Sequence, residues 1–293
     1  MPKPKIAVIG PGRVGCAIAR LLKEKRFPIA AVAGSSSERV HDAVEFIGGG
    51  RPARSAAAAA KAGDVVFLTT PDRMVKPLCD EIAAAKGFKR NATVFHCSGA
   101  HDASLLESAR ACKARVAVLH PLQSFASPEQ AVRRMKGTYF TFEGDDAAEP
   151  VAAQIVEALG GTLVRVRPKD RALYHAASCV LSNYMVAIAD FSFILMQLSG
   201  LSPKDAARAL QPLMRGTVEN IDTLGVPHAL TGPIARGDVE TVQRHLNALR
   251  PLPRDIRRLY TDLGLYTVRI AQRKGTLKSH DALALTRLLT EGG

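Results

Sequence analysis

The hexapeptide Gly10-Pro11-Gly12-Arg13-Val14-Gly15 constrains this chain more than any other stretch, because it follows the strand-like run KIAVI and opens an amphipathic segment, RVGCAIARLLKEK. In a strand–turn–helix setting the first glycine allows a tight turn, the second lets backbone approach a pyrophosphate, and the third lets the helix pack on the strand. The helix start offers free N–H groups and a partial positive charge to the phosphates. These six residues predict a dinucleotide site at the head of a β/α fold.

The same rhythm continues beyond this turn. Short apolar runs (KIAVIG, PIAAVAG, DVVFLTT, ATVFHCSG, RVAVLHP, TYFTFEG and TLVRVRP) alternate with helix-like segments, which predicts a mostly parallel sheet with helices on both faces. After Arg167-Pro168 the strand pattern stops. SPKDAARALQPLMRGTVENIDTLG opens with Ser202 as a cap and Pro203 at the first helical position, and GDVETVQRHLNAL has Asp238 in the cap position. PRDIRRLYTDLGLYTVRIAQRKG keeps helical spacing up to Gly275. The expected fold is α/β, with a doubly wound, Rossmann-type domain over residues 1–167 and an all-helical domain over 168–293.

About twenty residues past Gly15, where the second strand ends, such a fold commonly sets an acid against the adenosine ribose. Here the chain reads AVAGSSSERV, with no carboxylate before Glu38. Hydroxyl donors at Ser35, Ser36 and Ser37, with Arg39 beside them, suit a 2′-phosphate, whose charge an acid would repel. The expected cofactor is NADP, with NAD the poorer fit. The competing reading makes one serine a helix cap and the others loop. Thr69, Thr70 and Pro71 end the strand DVVFL and are expected along the same cofactor, unless TTPD is a plain connection into a helix capped by Asp72.

Composition narrows the classes further. Apolar residues at 47% and charged residues at 23% argue for a folded chain. Five cysteines lie scattered without disulfide or zinc spacing, and the N-terminus shows no apolar run of signal-peptide length, so a reduced, cytoplasmic setting is expected. A formal net charge of +13 favours anionic small molecules, and the spread of basic residues with few aromatics offers no nucleic-acid reading motif. His96, Cys97 and His101 lack zinc spacing, and Gly48-Gly49-Gly50 lacks the lysine-serine sequel of a phosphate loop. The most apolar stretch, residues 174–200, approaches transmembrane length. His175, Asn183, Asp190 and Gln197 interrupt it, so a buried helix is expected and no membrane association. It is too apolar for a small bundle to cover alone, which points to a homodimer through the helical domain.

Five segments in order, VIGPGRVG, HCSGA (96–100), LHPLQSF (119–125), YHAASCVLSNY (174–184) and LTGPIARGD (230–238), carry a resemblance that spans essentially the whole chain. The chain resembles the two-domain reductases that include β-hydroxyacid dehydrogenases, pyrroline-5-carboxylate reductase and deazaflavin-dependent NADP oxidoreductases. It looks closest to a branch with a Rossmann-like domain followed by a helical domain of unknown function, the latter similar to the C-terminal domain of 6-phosphogluconate dehydrogenase. The resemblance implies a nicotinamide facing the cleft between the domains, with HCSGA and HPLQSF edging the substrate pocket. In β-hydroxyacid dehydrogenases a lysine, with an asparagine one turn later, handles the proton. Aligned by that helix this chain offers Arg171 and His175, so the familiar lysine is missing.

Hydride transfer needs orientation, a proton donor and exclusion of water from the protein. On a helix from about residue 169, positions 171, 175, 178, 179 and 182 share one face, with Asn183 at its flank. Arg171 and His175 are one turn apart, about 6 Å along the axis, and Asn183 lies about 12 Å beyond His175. His175 is a candidate general acid or a core histidine, and Arg171 a clamp on a substrate carboxylate or an ion-pair partner. Asn183 reads as a substrate or carboxamide ligand or a satisfied amide, and Ser182 as a pocket hydroxyl or one bonded to its own helix. Tyr174 is an alternative donor or a packing residue. His120, at a strand end before Pro121, is a second acid–base candidate or a turn histidine. Gln123, Ser124, Ser98, Gly99, Thr231 and Arg236 complete the candidate pocket, whereas Asp238 reads as a cap. The expected function is NADP-dependent reduction of a C=O or C=N bond in a small anionic metabolite. The alternative is a catalytically silent NADP-binding scaffold or sensor.

Overall fold

Eight strands form one sheet: β1 (Ile6–Ile9), β2 (Ile29–Ala33), β3 (Arg51–Pro52), β4 (Val65–Leu68), β5 (Thr93–His96), β6 (Arg115–Pro121), β7 (Tyr139–Gly144) and β8 (Thr162–Arg165). This is a computed structural model that describes residues 2–292. The strand order is β3-β2-β1-β4-β5-β6-β7-β8, and every neighbouring pair is parallel except β6 with β7. Seven of the eight strands coincide with the apolar runs read from the sequence. The eighth, β3, is a two-residue edge strand ending in proline, too short to leave a pattern.

Strands buried on both faces read as unbroken apolar runs because alternate side chains enter opposite layers. In β1, Ile6 and Val8 join one core with Cys16, Ile18 and Leu22 of the helix Arg13–Glu24. Ala7 and Ile9 join the other with Val75, Cys79 and Ile82 of the helix Asp72–Ala84. The order reverses between β1 and β4, so their carboxyl ends send the chain to opposite faces and leave a crevice between them.

The described residues divide into two compact units between Val186 and Ala187. Strands end at Arg165, and the second unit is helical throughout. Its small core gathers Ile234, Val242, Val268, Ala271, Ala282, Leu285 and Leu289. The expected punctuation is present: Ser202 accepts from Asp205 N, Asp238 accepts from Thr241 N, and Gly275 closes the helix Arg254–Lys274 in the left-handed conformation.

The apolar stretch corrects one expectation. It forms a helical run, Arg171–Cys179, a π turn over Val180–Tyr184 and Met185–Leu198, but it is not buried by its own chain. Only 6% of its most apolar window is covered, and Leu173, Leu181 and Val186 are 75%, 69% and 70% exposed. Among the described residues Pro168–Leu198 is the one helical span long and apolar enough to cross a membrane. Apolar composition reports that a surface favours leaving water, not that the same chain covers it.

Candidate active site

The carboxyl edge of the sheet collects the candidate residues. Gly10 follows β1 at φ +87°, and a Cβ there would stand 2.5 Å from Thr70 Cγ2 and 2.8 Å from Thr70 N. Only glycine lets β1 and β4 end this close together. Thr69 seals the approach, its hydroxyl donating to Gly10 O at 2.6 Å, and a Cβ on Gly15 would collide with the same hydroxyl. The helix Arg13–Glu24 then begins at Gly12 with no side-chain cap and no acid in its first turn. Its first N–H groups therefore face outward unpaired, the arrangement that holds a phosphate. Thr70 Oγ1 is buried there without a hydrogen-bond partner among the described residues. Pro71 is exposed at the start of the next helix. Uncapped N–H groups, a spare hydroxyl and the open turn suit a dinucleotide pyrophosphate.

The serine loop lies against this turn, since Gly34 packs so tightly on Pro11 that a Cβ would come within 3.0 Å of Pro11 Cδ. Ser36 caps the helix Ser37–Ile47, accepting from Arg39 N at 3.4 Å. Ser35, Ser37 and Arg39 are exposed at the end of β2, and among the described residues Arg39 makes no ion pair. One serine is thus a cap, the Ser37 hydroxyl lies 3.5 Å from His41 Nδ1, and the Ser35 hydroxyl and the Arg39 guanidinium are exposed beside the crevice. Arg13 reaches across toward Phe125 O at 3.5 Å.

After β5 the chain makes a turn whose polar groups are mostly committed. Ser98 N–H donates to His96 Nδ1 at 3.1 Å, which leaves His96 Nε2 to carry the ring proton and donate to Asp102 O at 2.9 Å. Both bonds require a neutral ring, and burial holds the His96 pKa down at about 4. Ser98 Oγ donates to Asp72 Oδ2 at 2.8 Å and accepts from Ala100 N and His101 N. Asp72 therefore ties the TTPD turn to HCSGA instead of capping its own helix. With the Ser98, Ala100 and His101 N–H groups already paired, this turn is not an open anion cradle, and Gly99 is buried within it.

Gly99 sits against two imidazoles. A Cβ on it would lie 2.7 Å from His175 Cδ2 and 2.9 Å from His120 Nε2, so glycine is what brings both rings together. His120 Nδ1 is 2.8 Å from Tyr174 Oη, the two rings standing nearly perpendicular at 86°. Burial, reinforced by the Arg171 charge, pulls His120 down to about 4. Arg171 is 1% exposed, donates from Nη2 to Ser98 O at 2.8 Å, and leaves Nε and Nη1 without partners among the described residues. The guanidinium is nearly sealed from solvent, and its charge acts on its neighbours.

The other candidates are scattered. Gln123 is exposed and folds its Oε1 onto Ser124 N, while Ser182 and Asn183 are exposed within the π turn. A turn with i→i+5 bonds takes in one extra residue, so it rotates Asn183 toward the place Ser182 holds in an unbroken α-helix. That shift revises the face expected from uniform helical spacing. Thr231 is exposed in the second unit, ahead of the helix Pro233–Arg236. The sequence reading missed Asp72 as a tie to Ser98 and Thr141 as the cross-strand partner of His120. No local signal marks either pairing.

Residues 5–93 match the family described as NADP oxidoreductase coenzyme F420-dependent, and residues 138–267 match a domain of unknown function. Among solved structures the chain is similar to a Thermotoga maritima protein at 25% identity, covering 92% of this chain and 99% of that one with a TM-score of 0.71. It is also similar to a pyrroline-5-carboxylate reductase from Coxiella burnetii (16% identity, 99% and 98% covered, TM-score 0.58). A third is a reductive aminase from Aspergillus terreus in complex with NADPH and ethyl-5-oxohexanoate (16% identity, 99% and 93% covered, TM-score 0.59). The last two likenesses are of fold. No curated protein matches the chain.

The buried histidines set an acid limit. Because the folded pKa of His96 lies near 4, below its ordinary 6.5, the unfolded chain takes up the proton first. Stability is therefore full above about pH 6.5 and is lost as the pH falls toward 4, by on the order of 3 kcal/mol for a shift of this size. His96→Asn is expected to flatten the decline of the thermal midpoint between those limits. An unchanged slope would assign the acid sensitivity elsewhere.

Proposed function

Since the chain joins a domain of the coenzyme F420-dependent NADP oxidoreductase type to a helical domain, and shares its fold with oxidoreductases, we propose that it reduces a C=O or C=N bond in a small anionic metabolite with NADPH. One observation carries this reading: the glycine turn, the serine loop, the Thr69–Asp72 turn, the Ser98–Gly99 turn and His120 all stand at the carboxyl edge of one sheet, around its reversal point. Bound there, the nicotinamide supplies the hydride.

The chain's own residues supply the rest. The uncapped start of Arg13–Glu24 and the Thr70 hydroxyl hold the pyrophosphate, and Ser35, Ser37 and Arg39 take the 2′-phosphate in preference to a bare ribose. His120 and His175 flank Gly99, Tyr174 is hydrogen-bonded to His120, and together they bound the place of reaction, with Arg171 fixing the Ser98 carbonyl. Asn183 and Gln123 are polar groups available to the far end of a substrate. The division of labour at 167/168, with a helical domain for substrate and dimerisation, belongs to the same reading, as does a cytoplasmic location.

Ser36→Asp keeps a good N-cap while adding a negative charge, so it tests the cofactor without harming the helix. It and Arg39→Ala are expected to weaken NADPH about 10- to 100-fold, with NADH little affected. Equal affinities in variant and wild type would remove the 2′-phosphate assignment. NADPH consumption with keto acids, cyclic imines or a deazaflavin acceptor is the expected activity, whereas tight NADPH binding with no turnover across that panel would favour the scaffold reading.

The exposed apolar helix is, in this proposal, covered by a second copy of the chain. Its most apolar window is only 6% covered, a larger bare surface than a soluble monomer commonly shows. Sedimentation at micromolar concentration is expected to give a dimer, and Leu181→Lys with Val186→Lys a monomer. A wild-type monomer, or a chain found only with membranes, would contradict this.

A further inference from the structure

Resting on the reductase reading above, we propose that the proton accompanying the hydride comes from the Tyr174 phenol, with His120 as the neutral donor that holds the phenol and stabilises its phenolate. The geometry around one hydrogen bond carries this. His120 on β6 stands directly across from Thr141 on β7, and Tyr174 sets its oxygen 2.8 Å from His120 Nδ1. If Nδ1 accepted, the phenolic proton would be tied to the ring. If Nδ1–H donates, that proton is free for a substrate.

The other ring nitrogen decides between them. Nε2 packs on Gly99, where even a methyl group would stand only 2.9 Å away, and no acceptor among the described residues bonds to it. A neutral imidazole carries one N–H. On Nε2 the proton would meet no acceptor among the described residues, whereas on Nδ1 it meets the Tyr174 oxygen, so the Nδ1–H form is the satisfied one. The ring stays neutral because burial and then Arg171 hold its pKa near 4. His175 and His96 push the same way, and Asp72 opposes them.

The phenol has the complementary environment. Burial keeps it protonated, while the nearby Thr141 hydroxyl and the Arg171 charge favour the phenolate once it forms; the Ser178 hydroxyl is committed to the Tyr174 backbone carbonyl at 3.0 Å. Thr141 Oγ1 is buried and makes no hydrogen bond among the described residues, so it is available to the phenolate. As the carbon of a C=O or C=N bond gains a hydride from NADPH, the Tyr174 O–H bond breaks and its proton passes to the oxygen or nitrogen. The substrate is reduced by two electrons, NADPH becomes NADP+, and water reprotonates the phenolate. His175 has no comparable setting: Cys179 Sγ lies 3.8 and 3.9 Å from its two nitrogens, off the line of either N–H.

Two measurements test this on the full chain. The first needs no substrate: with 15N-histidine labelling, long-range proton–nitrogen spectra are expected to show His120 as the Nδ1–H tautomer from about pH 9 down to about pH 5, altered in Tyr174→Phe. An Nε2–H tautomer would overturn the proposal. The second uses the best acceptor among pyruvate, 2-oxoglutarate and 1-pyrroline. Tyr174→Phe is expected to lower kcat about 10²- to 10⁴-fold with NADPH affinity retained. His120→Asn, which keeps an N–H donor, is expected to restore much of what His120→Leu loses, and wild-type kcat to stay level between about pH 6 and 8. Full activity in Tyr174→Phe, or a decline within that window that His175→Gln abolishes, would overturn it. If the wild type reduced none of the three, the reductase reading would lose its support, and the tautomer would still judge the pair.

Discussion

Where β1 and β4 part, the chain leaves one sheet edge toward opposite faces, and the gap is bridged by the Thr69 hydroxyl on the Gly10 carbonyl at 2.6 Å. Much of the proposed chemistry depends on that closure. Gly10 and Gly15 are the residues that leave room for Thr69 and Thr70, and the helix that starts between them is left uncapped. The same four residues thus close the reversal point and leave unpaired donors facing the crevice.

From Thr69 the order passes outward along the sheet through polar ties. Asp72, on the turn after β4, takes the Ser98 hydroxyl after β5, and Ser98 O takes Arg171 from the helix Arg171–Cys179. Arg171 is nearly sealed from solvent, and its charge keeps His120 and His96 neutral together with their burial. A charge buried with two unpaired N–H groups is costly to fold around. Its effect is a wall in which two imidazoles stay uncharged, while burial, against the Arg171 charge, keeps the Tyr174 phenol protonated.

The sequence made the sheet legible because buried parallel strands are continuous apolar runs, and the caps Ser202 and Asp238 are local by nature. The turn GPGRVG and the loop SSSERV were legible because each is built within a few residues. The wall around Gly99 was not. Ser98 and Arg171 meet across 73 residues, His120 and Tyr174 across 54, and no periodicity encodes such pairs. Uniform helical spacing placed Ser182 beside His175, whereas a single π turn rotates Asn183 toward that side. Residues 174–200 were apolar enough to read as core, yet most of their side chains are left exposed by their own chain.

The central claim is that a dinucleotide lies over the uncapped helix start at the β1/β4 reversal. Amide hydrogen exchange of the full chain with and without NADP+ tests it most directly. The account predicts slowed exchange at residues 10–15, 35–39 and 69–72. Unchanged exchange in those three segments at saturating NADP+, or protection confined to other parts of the chain, would contradict it.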